Sequence, residues 1–153
     1  MQTVDWSQEM SLGFPAIDNA HEELLKELTN LLTATDERFG PGFLALIERF
    51  ERDFREEEML MDDIDYPGIQ GHREQHARVL GALHHVAPRV MEGDIALGRE
   101  AVELLPQWFL FHLSTMDTAL AFALDIESQE SIPPALRLAK ERNRHEESRG
   151  RAS

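Results

Sequence analysis

The sequence predicts an all-α protein, an up-down-up-down four-helix bundle, and three observations support this prediction. Period-2 alternation of apolar and polar residues, which marks strands, is nearly absent from the 153-residue chain. Four segments of about 18 to 25 residues instead carry apolar side chains at helical spacing. The connections between these segments are short, and short connections make sequential helices antiparallel neighbours.

The first three helices follow from apolar periodicity and from turn residues. The first is predicted over AIDNAHEELLKELTNLLTAT, with Asp18 as its N-cap, and GPG at 40–42 is predicted to end this unit. The second is expected over about 43–63, after which IDYPGIQG predicts a turn. A third is expected from near Ile69 through HREQHARVLGALHHV to Pro88 or slightly further.

The fourth helix and the N-terminal arm complete the predicted bundle. MEGDIALG predicts a break, and a helix is expected over roughly 99–124. Pro106 should kink this helix or mark its true start, because proline lacks the backbone N–H that continues a helix. Before the first helix, Trp6, Phe14 and Pro15 form an apolar arm that is predicted to pack across the bundle.

The distribution of charge predicts two parts of the chain. Residues 1–131 are expected to form the bundle. Residues 132–153 carry six Lys or Arg against three acids. We expect a short charged C-terminal helix there, with Pro133 and Pro134 at its start, which frays into a tail.

Composition excludes several classes of protein. The formal net charge of -14 argues against binding to nucleic acid and to anionic membranes, since both need a basic surface. The chain has no Cys, so disulfides and thiolate ligands are excluded. The N-terminus lacks the features of a signal peptide, and no apolar run approaches the roughly 20 residues that span a bilayer. A cytoplasmic protein is therefore predicted.

The segment HREQH predicts a metal site. His72 and His76 stand four residues apart, so both imidazoles project from one helix face and can reach a single metal. Exposed histidines are the structural alternative for this pair. The zincin motif requires Glu directly after the first His, where this chain has Arg73. A zincin metalloprotease is therefore excluded.

The segment FHLSTMD places His112 and Asp117 five residues apart. In a regular α-helix, side chains at this spacing differ by about 140° in direction. Both can point inward only if the helix is locally widened, as at a π-bulge, or if a metal lies between them. The alternative is a core histidine with an exposed aspartate.

The first two helices also carry candidate ligands. Asp53 and Glu57 share a face bordered by Phe54 and Met61, and buried carboxylates are costly unless a cation or metal pairs with them. His21 on the first helix, by itself, is more typical of a cap or a surface residue. Taken together, the four helices predict a dinuclear site with nitrogen and carboxylate ligands. The ferritin-like version is excluded because no Glu stands three residues before a His.

Three stretches resemble the hemerythrin family in order and spacing: DW…LGFPAIDNAHEELLKELTNLL, FREEEMLMDDIDYPGIQGHREQH and WFLFHLSTMD. The resemblance covers roughly residues 3–123 and is of the kind seen in single-domain bacterial hemerythrins. It implies a non-heme di-iron centre, with two Fe bridged by an oxo or hydroxo group, inside a four-helix bundle that takes up O2 reversibly.

The resemblance also implies a role for each site residue. One iron would be held by His72, His76 and His112. The second iron would be held in part by His21, and Glu57 and Asp117 would bridge the two. The implied metal ligands are His21, Asp53, Glu57, His72, His76, His112 and Asp117, and the implied pocket lining is Phe54, Met61 and Trp108.

Asp53 is where the sequence departs from the family, which has His four residues before the bridging Glu. Three outcomes are open. In the first, Asp53 ligates the metal directly, which would favour the ferric state. In the second, the second metal binds weakly. In the third, Asp53 is uninvolved and water fills the position.

The resulting function hypothesis is a di-iron protein that binds O2 for storage, delivery or sensing. The alternative is a di-iron redox enzyme acting on O2, peroxide or NO, because Asp53 replaces a His ligand. An O2-binding protein is favoured over an enzyme. A purely structural bundle is a third hypothesis, and it predicts no bound metal. The expected ligand is O2 or a similar diatomic molecule or peroxide. The sequence leaves open whether the C-terminal tail binds a protein partner.

Overall fold

The computed structural model describes residues 4–130, with side chains up to Ser128. These residues form helices and no strand, which confirms the all-α prediction. The predicted C-terminal helix after Pro133, and the predicted boundary between 131 and 132, lie outside the described residues. The elements in chain order are a 3₁₀ turn (Gln8–Met10), α1 (Pro15–Leu32), α2 (Asp36–Asp63), α3 (Ile69–Met91), α4 (Ile95–Glu103), α5 (Leu105–His112), a π-helical segment (Leu113–Asp117) and α6 (Thr118–Glu130).

Four helical rods form the bundle, and the fourth is built from α4, α5, the π-helical segment and the start of α6. Helix α1 packs against α2, α2 against α3, α3 against α4, and α4 against α1. This ring of contacts and the short connections at 33–35, 64–68 and 92–94 confirm the predicted four-helix bundle. The chain divides into two compact units after Ala121, and the core and metal centre described below belong to the first.

The predicted start of the second helix at Phe43 was wrong. Helix α2 begins at Asp36, so GPG at 40–42 lies inside it and does not end the first unit. Phe39 and Phe43 are both fully buried on either side of this tripeptide, and their rings stack with centroids 5.9 Å apart. Packing of these two rings outweighs the weak helix propensity of Gly and Pro.

The predicted N-cap at Asp18 was also wrong. Helix α1 begins one turn earlier, with Phe14 as the cap residue and Pro15 in the first turn. The Asp18 carboxylate instead accepts hydrogen bonds from the Leu12 backbone N–H at 2.8 Å and from the Ser11 hydroxyl at 2.6 Å. These bonds tie the N-terminal arm to α1, and Trp6 on that arm packs against the core as predicted.

The fourth rod begins earlier than predicted, at Ile95, because Asp94 caps it by accepting a hydrogen bond from the Leu97 backbone N–H at 3.2 Å. The rod is interrupted at Leu104, and Pro106 stands in the first turn of α5, as the sequence predicted. By length and composition alone, the stretch Ile95–Ser128 could cross a bilayer, with a window of mean hydropathy 1.3. This is weak evidence, because core helices of soluble proteins meet the same criteria.

Candidate metal centre

Six polar side chains converge in the interior of the bundle, and each of the four rods contributes at least one. All six are at most 7% exposed, which is unusual for titratable groups. They are His21 on α1, Glu57 on α2, His72 and His76 on α3, and His112 and Asp117 on the fourth rod. The structure thus brings together six of the seven residues that the sequence singled out.

The first donor group holds one carboxylate and three imidazoles. Glu57, His72, His76 and His112 each offer one ligand atom, and these atoms lie within 4.8 Å of one another. The Nε2 atom of His112 is 3.2 Å from that of His72 and 3.1 Å from that of His76. The Nε2 atom of His72 lies 2.6 Å from Glu57 Oε1. Three imidazole nitrogens and one carboxylate oxygen are a donor set suited to a transition metal.

The second donor group is poorer in nitrogen and shares Glu57 with the first. It consists of His21, Glu57 and Asp117. Asp117 faces both groups, since its Oδ2 lies 3.1 Å from His21 Nε2 and its Oδ1 lies 3.2 Å from His112 Nε2. Two carboxylates that each reach both groups are the arrangement that a pair of metal ions requires.

The π-helical segment explains how His112 and Asp117 share a pocket. It spans Leu113–Asp117, so the five-residue spacing completes one widened turn. Thr118 closes this turn, because both its backbone N–H and its hydroxyl donate to the Leu113 carbonyl, the hydroxyl at 2.8 Å. Local widening, one of the alternatives that the sequence left open, is therefore present, and Asp117 is buried rather than exposed.

The pKa values of the two buried carboxylates shift in opposite directions. Burial, and then the nearby Asp117 carboxylate, raise the pKa of Glu57 to about 7. Burial alone would raise the pKa of Asp117, but the close imidazoles of His112, His21 and His72 hold this pKa well below its usual range. Imidazoles therefore stabilise the Asp117 anion, whereas His72 lowers the pKa of Glu57 too little to offset burial and the nearby Asp117 charge.

The two imidazoles of HREQH also differ. Burial lowers the pKa of His72, but attraction to the nearby carboxylates of Asp117 and Glu57 outweighs burial and raises this pKa to about 9. Burial, and then repulsion from His72 and His112, lower the pKa of His76 to about 3. A neutral His76 has a free nitrogen lone pair in the pocket, as metal ligation requires.

Several polar atoms of the centre lack a hydrogen-bond partner. Among the described residues, seven buried side-chain atoms have none, and all belong to residues that the sequence predicted as ligands. Three of the seven are carboxylate oxygens of Glu57 and Asp117 that face the imidazole nitrogens. Buried polar groups are nearly always satisfied, so a cluster of this kind fits a cation held between the donors.

Aromatic rings cover the imidazoles. The ring of Phe54 stacks on His76 with centroids 3.7 Å apart, and Trp108 stacks on His112 at 4.7 Å. Phe109 meets His21 edge-on at 5.2 Å and was missed from the sequence. Met61 is fully buried one turn after Glu57. The pocket-lining role of Phe54, Met61 and Trp108 stays a prediction, but two of the three contact imidazoles directly.

Comparison with known proteins identifies the family. No family model matches the chain. The bacteriohemerythrin of Ralstonia nicotianae is 35% identical over 117 residues, which cover 76% of this chain and 85% of that protein. This chain belongs to the hemerythrin family. Myohemerythrin-1 of Phascolopsis gouldii is 24% identical over 112 residues, covering 73% of this chain and 87% of its own.

Solved hemerythrin structures share the fold of this hemerythrin. The crystal structure of wild-type hemerythrin superposes with a TM-score of 0.74 at 17% identity, and covers 80% of this chain and 98% of its own. A point mutant of hemerythrin gives the same TM-score at 18% identity, over 81% of this chain and 98% of its own.

Gln75 is a site residue of this hemerythrin that sequence reasoning missed. Its Oε1 lies 2.9 Å from His112 Nδ1. Since an amide oxygen only accepts, this contact places the proton of His112 on Nδ1 and leaves Nε2 free for a metal. The signal was present in HREQH, because Gln75 directly precedes His76 and lies three residues after His72.

Asp53 is the predicted ligand that the structure does not bring into either donor group. It lies on α2 beside a cavity of about 40 Å³, which His21 and Glu57 also line. Its Oδ2 is buried without a hydrogen-bond partner among the described residues, and its Oδ1 is 3.8 Å from Arg52 Nε. Burial raises the pKa of Asp53 to about 6.

Proposed function

We propose that this hemerythrin holds two non-heme iron ions in the two donor groups and binds O2 reversibly. The observation that carries the proposal is the convergence of His21, Glu57, Asp117 and the three imidazoles of the first group. Because Glu57 and Asp117 each face both groups, the centre has the donors for two ions and would hold them together with an oxo or hydroxo ligand.

The ligand assignment follows the two groups. We infer that His72, His76 and His112 hold one iron, and that His21 contributes to the other. Glu57 and Asp117, which face both groups, would contribute to both ions. Imidazole and carboxylate together suit iron, and their mixture allows both the ferrous and the ferric state.

The protein around the ligands protects and orients them. The stacked rings of Phe54 and Trp108 limit access of water to the imidazoles. Gln75 fixes the tautomer of His112. Iron, when bound, would supply the electrons that O2 uptake requires. We further propose a cytoplasmic location and a role in O2 storage, delivery or sensing.

Iron analysis of matched variants tests the ligand assignment. Purified wild-type protein should contain about two iron ions per chain. His76→Ala should lose iron, since it removes one of three imidazoles from the first group. His84→Ala is the control, because His84 lies on the same helix but is exposed and contacts Glu51 at 2.6 Å.

Air exposure of the reduced protein tests the proposed binding of O2. The reduced wild type should gain visible absorption that His76→Ala does not show, while His84→Ala behaves as wild type. Equal iron content in all three proteins, or a wild type without iron, would contradict the proposal.

A further inference from the structure

We propose that Asp53 determines the ligand specificity of this hemerythrin, by admitting neutral diatomic molecules to the cavity beside His21 and disfavouring anions of similar size. The inference rests on the proposed di-iron function and deepens it. It concerns the one candidate residue that the structure leaves outside both donor groups.

The cavity has the size of a very small ligand. Its volume is about 40 Å³, and it is lined by His21 and Glu57, which belong to the second donor group. A cavity of this size has room for a water molecule or a ligand of two or three atoms. A ligand there would lie directly beside the poorer of the two donor groups.

The carboxylate of Asp53 lines the same cavity and is only 12% exposed. Its Oδ2 has no hydrogen-bond partner within the described chain, so its charge is not satisfied on that side. Two cations act on Asp53, Arg49 and Arg52. Arg49 forms ion pairs with Glu23 and Glu27, and the Arg52 side chain is 54% exposed, with its Nε 3.8 Å from Oδ1. Water screens the pair of Arg52 and Asp53, and the negative charge of Asp53 therefore acts strongly within the cavity.

An anion and a neutral ligand experience this charge differently. An anion in the cavity would lie beside a like charge that is only 12% exposed, where water screens the repulsion less than at the open surface. A neutral diatomic molecule pays no such penalty. An imidazole at position 53, as the family resemblance implies for relatives, would not repel anions in this way.

The proposed role of Asp53 differs from direct ligation of a metal, because Asp53 lies outside both donor groups. The ligand atoms of His21, Glu57 and Asp117 lie together, whereas Asp53 is not part of that group and instead lines the adjoining cavity. We infer that Asp53 acts through the cavity, where a water molecule could bridge its free Oδ2 to the centre.

The test compares Asp53→Asn with the wild type at pH 8, where the carboxylate is ionised. Asparagine keeps the shape of the side chain and removes its charge. Azide affinity of the ferric protein should rise by about tenfold or more, the effect expected for one buried like charge. Nitric oxide affinity of the reduced protein should stay within about threefold, since that ligand is neutral. Both are measured by absorption titration, with iron content determined on the same samples.

Glu56→Gln is the matched control. Glu56 lines the same cavity and carries the same charge, but it is exposed to solvent. Its removal should change azide affinity by less than about threefold. Asp53→Ala is a second variant, which also removes the charge and should shift azide affinity in the same direction.

Four results would overturn the inference. Unchanged azide affinity in Asp53→Asn would show that its charge is irrelevant, and a parallel gain for nitric oxide would show that the variant only opened the cavity. An equal gain in Glu56→Gln would assign the effect to general surface charge. Loss of one iron from Asp53→Asn would make Asp53 a metal ligand. A wild type without iron would instead overturn the proposed function, and this inference with it.

Discussion

Glu57 links the two halves of the candidate centre, since it belongs to both donor groups. Its Oε1 atom is buried without a hydrogen-bond partner among the described residues. Its raised pKa and the lowered pKa of Asp117 show that the pocket stabilises one carboxylate at the expense of the other when no cation is present. A metal would satisfy both, because it replaces the missing positive charge.

Gln75 should matter for metal affinity although it is not a ligand. Gln75→Leu removes the acceptor for the Nδ1 proton of His112, so the imidazole is held less firmly. We expect iron affinity to fall by roughly 10- to 100-fold, as measured by competition with a chelator. Gln75→Glu keeps an acceptor oxygen and should retain most of the affinity. If Gln75→Leu keeps wild-type affinity, Gln75 has no positioning role.

Asp53 should affect the stability of the metal-free protein in a pH-dependent way. Its folded pKa of about 6 lies above the ordinary 3.8, so the folded state binds more protons between these values and wild-type stability falls as pH rises through them. Asp53→Asn should therefore stabilise the metal-free protein by roughly 1–3 kcal/mol at pH 8, and this gain should vanish near pH 4. Urea unfolding at both pH values measures it, and a gain independent of pH would exclude ionisation as the cause.

Six candidate ligands could be predicted because their spacing or family motif marks them, as in HREQH. The position of Asp53 outside the donor groups could not be predicted, because its spacing places it on the same face of α2 as Glu57, and only the packed bundle shows which ligand atoms meet. Gln75 was missed for a related reason: its partner, His112, is on another helix, and only the packed bundle brings the two together.

At the scale of elements, helix identity was easier to predict than helix boundaries. All four predicted helices exist, yet α2 starts seven residues before the predicted Phe43. The Gly and Pro residues that suggested a break are tolerated because buried Phe39 extends the core into that turn. The π-helical segment was predictable from the spacing of His112 and Asp117, since a regular helix cannot place both in one pocket.

The close approach of α4 to its neighbours depends on Gly98. A Cβ atom there would lie 2.5 Å from a ring carbon of Phe39 and 2.7 Å from a methyl carbon of Val90. Gly98→Ala should destabilise the protein by about 1–3 kcal/mol through overpacking. Gly81→Ala on α3 is the control, because a Cβ there meets nothing within 4 Å and better helix propensity should add about 0.5–1 kcal/mol. Thermal unfolding of the two variants measures both effects. If Gly98→Ala is as stable as the wild type, Phe39 and Val90 can move to make room for the added methyl group.

For the whole molecule, metal and fold should be coupled. The interior holds four imidazoles and two carboxylates, and several of their nitrogen and oxygen atoms have no hydrogen-bond partner among the described residues. Bound cations would compensate the carboxylate charges. Removal of iron by chelation under reducing conditions should lower the melting temperature by about 10 °C or more, because ions that bind only the folded state stabilise it. Readdition of Fe(II) without air should restore it. Equal melting temperatures with and without iron would mean that the buried donors do not hold metal.

Reversible O2 uptake by the iron-loaded protein is the most direct test of the central claim. The reduced protein, with about two iron ions per chain, is exposed to O2 and then returned to vacuum while absorption and dissolved O2 are recorded. We expect one O2 bound for each pair of iron ions, and its release with recovery of the ferrous spectrum over repeated cycles. Consumption of O2 without release, or no uptake by protein that contains two iron ions per chain, would contradict the account.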